Sequence, residues 1–175
     1  MFKNTCKDDI YYISSQRIPD TRIYGWDTED DYKSCPTKYK KFFENMDLNY
    51  DFYMFIDDDT FVYTERIEEY VKGLDSSLPL YIGQKLTHEP VPFMSGGAGF
   101  LFSKPLYKHI REHINTFIDK YHGDLSVGYW IANNHMSGLQ LIHEPRFRSQ
   151  PCLQEKNIVL TSHYLKTFED FLSYM

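Results

Sequence analysis

The run of apolar and polar positions divides the chain into strands and helices that largely alternate. Residues 9–15 (DIYYISS) form a short apolar run closing in polar residues and predict a strand; residues 21–26 predict a second. Tyr39, Phe42, Phe43 and Met46 recur at helical spacing behind Pro36, which predicts a helix over 36–46. Residues 52–56 (FYMFI) are continuously apolar, the pattern of a strand buried on both faces, and run straight into Asp57. Thr64 reads as the N-cap of a helix that buries Ile67, Tyr70 and Val71 and fades near Gly73. Strands are expected at 80–83 and 98–102. A long helix over 103–121 would put Leu106, Ile110, Ile114, Phe117 and Tyr121 on one face. A shorter helix over 125–135 and a strand at 139–142 complete the pattern. The expectation is an α/β class, a single domain over 1–175 with a mixed, mostly parallel central sheet flanked by helices.

A chain of 175 residues suits one such domain with its own core. Fifteen tyrosines and 13 phenylalanines suit a polar cleft, because Tyr buries area and keeps a hydroxyl. The net charge of −6 argues against nucleic acid as a partner, since phosphate backbones need a basic face. It leaves room for a small phosphorylated ligand whose charge a divalent cation balances. Cys6, Cys35 and Cys152 are widely spaced and odd in number, and read as free thiols of a reducing compartment, with one disulfide plus one thiol as the alternative. Polar residues follow Met1-Phe2 where a signal peptide would be apolar, and no apolar run approaches the roughly 18 residues of a membrane span. Neither feature fixes a location; a native start at Met1 would imply the cytoplasm.

Candidate chemistry gathers at four places. Asp57-Asp58-Asp59 follows a buried strand, where ligands of open α/β sheets bind. Three adjacent carboxylates repel one another, and Mg²⁺ or Mn²⁺, which take oxygen ligands and bridge to phosphates, would relieve that. A solvated acidic loop is the simpler alternative. Ser95-Gly96-Gly97-Ala98-Gly99 lets a ligand approach the backbone, or is a tight turn. Asp124, within Gly123-Asp124-Leu125-Ser126-Val127-Gly128, is either a helix N-cap or a general base. His163 is a core or surface histidine, or a third ligand beside Asp59 for a transition ion such as Mn²⁺. Trp26, Tyr129 and Trp130 could stack on a sugar but suit core packing better, and Arg146 and Arg148 suit a solvated loop better than a phosphate. His88 and Glu89 fall near the glycine segment, on a possible acceptor side.

In this order the segments FYMFIDDDTFV, FMSGGAGFLFSK, GDLSVG and TSH resemble the fringe and core-1-type β1,3-glycosyltransferases. The resemblance runs from about residue 10 onward and is most specific at DDDT and GGAG. It implies a GT-A-like nucleotide-sugar-binding fold. It also implies transfer of a sugar from a UDP-sugar to a hydroxyl of a glycan or glycoprotein acceptor, with inversion and with Mn²⁺ (or Mg²⁺) as cofactor. Carried over, Asp59 and His163 would bind the metal. Asp57 and Asp58 would hold the donor's ribose and sugar or the metal's waters. Gly96 and Gly97 would line the donor sugar, and Asp124 would be the base.

The sequence departs from the family pattern twice. Gly123 stands where the family has the first acid of a pair. The strand and loop that hold the uracil in the family come before the strand expected at 9–15, and the sequence opens after that point. Family members are also normally Golgi-anchored and disulfide-bonded, features the sequence lacks. The alternative reading is a catalytically weak or inactive relative that binds glycans or serves as an assembly partner. A phosphatase with aspartates at 57 and 59 is disfavoured, because Thr60-Phe61 follows where Gly-Thr is expected.

Overall fold

The structure, a computed structural model, describes residues 10–15, 23–26, 28–29, 31–88 and 90–175. Cys6, Glu89 and the outer parts of the first two expected strands lie outside these residues. In chain order the elements are β1 (Tyr12–Ser14), β2 (Ile23–Gly25), α1 (Cys35–Asn45), β3 (Phe52–Phe55), β4 (Phe61–Val62), α2 (Thr64–Lys72), β5 (Leu80–Gly83), β6 (Lys85–His88), β7 (Val91–Met94) and β8 (Phe100–Ser103). They continue as α3 (Lys104–Glu112), α4 (Gly123–Asn133), β9 (Gln140–His143), β10 (Phe147–Arg148), β11 (Thr161–Ser162) and α5 (Phe168–Tyr174).

The largest sheet has the order β3-β8-β5-β9. Its side chains alternate between two layers, as the pleat requires. Tyr53, Phe55, Tyr81, Phe100 and Phe102 meet Phe42 and Phe43 of α1, Tyr107 of α3 and Trp130 of α4 in one core. Leu80, Ile82 and Leu101 point the other way, onto Ile67, Tyr70 and Val71 of α2 and onto Phe147 and Leu160. The first core is aromatic: Tyr53 stacks on Tyr107 with centroids 3.8 Å apart, and Phe55 stacks on Phe100 at 5.4 Å. Full burial of each such ring contributes about 1.5–3 kcal/mol.

Several expectations need correction. The class is α/β and the sheet is mixed, but parallel pairing does not dominate: β8 is antiparallel to both β3 and β5, and among the three ladders only β5–β9 is parallel. A parallel neighbour needs a crossover, usually a helix. The chain between β5 and β8 is instead the β6–β7 hairpin, so it returns against its own direction. The helix expected over 103–121 ends at Glu112. His113 leaves the helical region, and residues Ile114–Thr116 form a 3-10 turn. Thr116 Oγ1 donates to the His113 carbonyl at 2.8 Å, the local competition that makes Thr a poor helix interior. Phe117 is nevertheless buried. Thr64 starts α2 without a side-chain cap. β3 alternates rather than burying both faces, and Ile56 after it is exposed.

Candidate active site

The antiparallel β8 assembles the first half of the site. Phe55 pairs with Phe100, so the end of β3 and the start of β8 share one sheet edge. Asp57 leaves that edge from one strand, and the Gly96–Gly99 turn enters it from the other. Gly99 has φ +81°, which a β-carbon would strain, and its N–H donates to the Gly96 carbonyl at 2.8 Å. Thr60 Oγ1 donates to the Gly97 carbonyl at 2.7 Å, tying the aspartate run to the glycine turn. Thr161 Oγ1 donates to the Ala98 carbonyl at 2.6 Å from the other side.

Two further elements supply the remaining groups. The antiparallel pairing of β4 with β11 sets Phe61 opposite Ser162, and beyond that pair the side chains of Asp59 and His163 meet. The His163 Nε2 lies 2.9 Å from Asp59 Oδ1 and 4.0 Å from Asp57 Oδ2. His163 Nδ1 lies 3.1 Å from the Ser149 carbonyl, an acceptor that fixes the proton on Nδ1 and turns Nε2 toward the carboxylates. α4 delivers Asp124 in its first turn, where His122 rather than Asp124 occupies the N-cap position. The Asp124 Oδ2 accepts from the Gly96 N–H at 2.8 Å, and Oδ1 accepts from the Leu125 N–H at 2.7 Å.

The glycines follow from this packing. A β-carbon on Gly97 would lie 2.6 Å from both His163 ring nitrogens, and one on Gly96 would lie 3.1 Å from the Asp124 β-carbon. Gly96 and Gly97 therefore seat the Asp124 and His163 side chains directly. Gly123 is similarly confined: a β-carbon there would lie 2.5 Å from Tyr39 Cε2 and 2.8 Å from Cys35 Sγ.

The electrostatics mark a shared region of negative charge. Burial pushes the Asp57 carboxyl above its ordinary range. The His163 imidazole works against that shift, while Asp59, Asp124 and Asp58 add to it. Burial, then Asp57 and Asp124, also raises the Cys35 thiol to about 11. One ligand atom each from Asp57, Asp59 and His163 falls within 4.8 Å of the others. Two carboxylates and an imidazole are a donor set that fits Mn²⁺, and Mg²⁺ through its oxygens. Asp58 stands apart on an exposed turn. Among the described residues one other grouping of this kind occurs, His109, Glu112 and His113 at the end of α3.

The remaining sequence candidates have partners within the protein. Trp130 is buried with its indole N–H on Thr116, and Trp26 packs against the aromatic core. Tyr129 stacks on Tyr121 and contacts His88. Arg146 pairs with Glu144, and Arg148 with Glu155. Sequence reasoning did not single out Thr60, Thr161, Ser149 or Lys166. The Lys166 ammonium sits on Asp59 Oδ2. Each is a common residue type whose role exists only through a partner far away in sequence.

No helix among the described residues is long and apolar enough to cross a membrane. The chain is 33% identical over 93 residues to chondroitin sulfate synthase 3 of Homo sapiens and to that of Mus musculus. Each match covers 45% of this chain and 10% of the relative, so the chain spans about a tenth of the length of these proteins. A family model described as Fringe-like matches residues 27–166, a stretch that contains every residue of the cluster. That match takes in the aspartate run, the glycine turn, Asp124 and His163 together, and the chain belongs to the Fringe-like family of glycosyltransferases.

Proposed function

We propose that this domain moves a sugar from a UDP-sugar to a hydroxyl of a glycan or glycoprotein acceptor, with inversion. The observation that carries the reading is the convergence of Asp57, Asp59 and His163 beside a turn whose Gly96 N–H holds Asp124. Asp59 and His163 would hold Mn²⁺ or Mg²⁺, with Asp57 and Asp58 holding the donor's ribose and sugar or the metal's waters. A divalent cation there would neutralise the charge building on the departing diphosphate.

Asp124 is the base. Each of its oxygens accepts one backbone N–H and keeps a second lone pair, so the carboxylate is oriented without being used up. It takes the acceptor's proton as that oxygen bonds to the anomeric carbon and the bond from that carbon to the diphosphate oxygen breaks. A single displacement needs this one base, unlike the paired carboxylates of a retaining glycosidase. Gly96 and Gly97 would line the donor sugar through their backbone. The likeness to chondroitin sulfate synthase 3 favours a glycan as acceptor.

A donor screen for UDP release with Mn²⁺ tests the reading. Release that requires Mn²⁺ and disappears in Asp59→Ala and Asp124→Ala supports it, and full release in both variants refutes the site. The second reading, a relative that binds glycans or assembles without turnover, is supported by the Lys166 ion pair that covers Asp59. Calorimetry with UDP and Mn²⁺ separates the two: absence of metal-dependent UDP binding leaves the second.

A further inference from the structure

Asp59 is engaged on both oxygens. His163 Nε2 approaches Oδ1 at 2.9 Å, and the Lys166 ammonium pairs with Oδ2. The backbone around Lys166 is pinned: the Leu165 N–H donates to the Asp59 carbonyl at 3.1 Å, and the Lys166 N–H donates to Asp170 Oδ2 at 3.0 Å. Tyr164, between His163 and Leu165, has φ +68°, a region that bulky residues adopt only under constraint. Its ring lies 4.2 Å from the Lys166 ammonium. The root of Lys166 is thus fixed beside Asp59, while its side chain is half-exposed.

Resting on the functional reading above, we propose that Lys166 balances the charge of Asp59 in the metal-free protein and turns to the donor's diphosphate as a ligand once a metal binds beside His163. A divalent ion on the Oδ1 side, where His163 faces Asp59, would repel the ammonium across the same carboxylate and weaken its hold on Oδ2. A diphosphate held at such a metal would meet a flexible four-carbon stem ending in three donors. The charge balance calls for it. Asp57, Asp59 and Asp124 carry three negative charges against a metal's two, and Asp58 lies close enough to act on Asp57. A diphosphate entering that field needs a further cation. Lys166 is the lysine already in it. Arg146 and Arg148 are committed to Glu144 and Glu155.

The experiment titrates Mn²⁺ alone, then UDP at saturating Mn²⁺, into the wild-type chain, Lys166→Met, Lys166→Arg and Asp59→Ala. Melting curves check that each variant is folded. Lys166→Met is expected to bind Mn²⁺ alone more tightly, because its competitor is gone. It should bind UDP about tenfold more weakly, the loss of one charge-assisted phosphate contact. Lys166→Arg should keep UDP binding. Unchanged UDP affinity in Lys166→Met, or unchanged Mn²⁺ affinity, overturns the proposal while leaving the functional reading intact. Absence of UDP binding by the wild-type chain with Mn²⁺ overturns both.

Discussion

Gly97 lies directly beneath the His163 ring, with room for a hydrogen and none for a methyl group: a β-carbon would sit 2.6 Å from either ring nitrogen. Its φ is not in the left-handed region, so the constraint comes from the ring and not from the backbone. Gly97→Ala should lower stability by about 1–3 kcal/mol through overpacking, and should abolish Mn²⁺-dependent UDP binding by displacing the imidazole. The double variant Gly97→Ala/His163→Ala should melt above Gly97→Ala, since the obstructing ring is gone. A double variant that melts no higher would break this link.

Asp124 anchors the glycine turn and is the proposed base, and the two roles are separable. In Asp124→Asn the side-chain oxygen can still accept from the Gly96 N–H while the amide nitrogen gives up only the local Leu125 contact, so UDP and Mn²⁺ should still bind. Turnover should fall about 10²–10⁴-fold, the usual contribution of a positioned base. Steady-state kinetics beside calorimetry measure both, and undiminished turnover would remove Asp124 from the chemistry.

Cys35 reports on the same pocket. Burial and then the charges of Asp57 and Asp124 disfavour its thiolate and raise the thiol to about 11. Alkylation of Cys35 at pH 8 should therefore be slow, and its rate should rise about tenfold per pH unit toward that value. Mn²⁺ bound at the carboxylates would offset part of the negative charge and speed the reaction at fixed pH. Mass spectrometry of the labelled peptide follows it, and a fast, pH-independent reaction near pH 8 would contradict the burial.

Thr161 is buried and donates to the Ala98 carbonyl while accepting from the Arg148 N–H at 3.3 Å. Thr161→Val keeps the shape and leaves the Ala98 carbonyl without its hydroxyl donor, a cost of about 1–3 kcal/mol. Chemical denaturation should show this loss, and hydrogen exchange should show faster exchange in the Gly96–Gly99 turn. Wild-type stability would mean that other groups satisfy these backbone atoms.

Gly123 explains one departure from the family pattern. With Tyr39 and Cys35 within 2.8 Å of where a β-carbon would be, an acid at this position collides with α1. Gly123→Asp should lower the melting temperature, and adding Cys35→Ala should restore part of it. A Gly123→Asp chain as stable as the wild type would show that α1 can yield.

The sequence by itself determined the α/β class, most of the strands and helices, and the four segments that meet at the site. Apolar periodicity reports local backbone geometry, and DDD, GGAG, Asp124 and His163 are unusual enough in type and order to stand out. It did not determine strand direction. β8 is set against its neighbours by a hairpin whose strands are short, one exposed along its length and the other broken by Pro92, and neither has a strong period-2 signal. Nor did it reveal why Gly96 and Gly97 are glycines, since Asp124 and His163 come to them from α4 and the end of β11. Lys166, Thr60 and Thr161 were silent for the same reason. A lone lysine or threonine has no periodicity, and what it does depends on a carboxylate or carbonyl that only folding brings within 3 Å or so. The identity of the site's parts is local chemistry that the chain carries in order. Their contact depends on long-range pairing of β3 with β8 and of β4 with β11, and those ladders exist only in the folded protein.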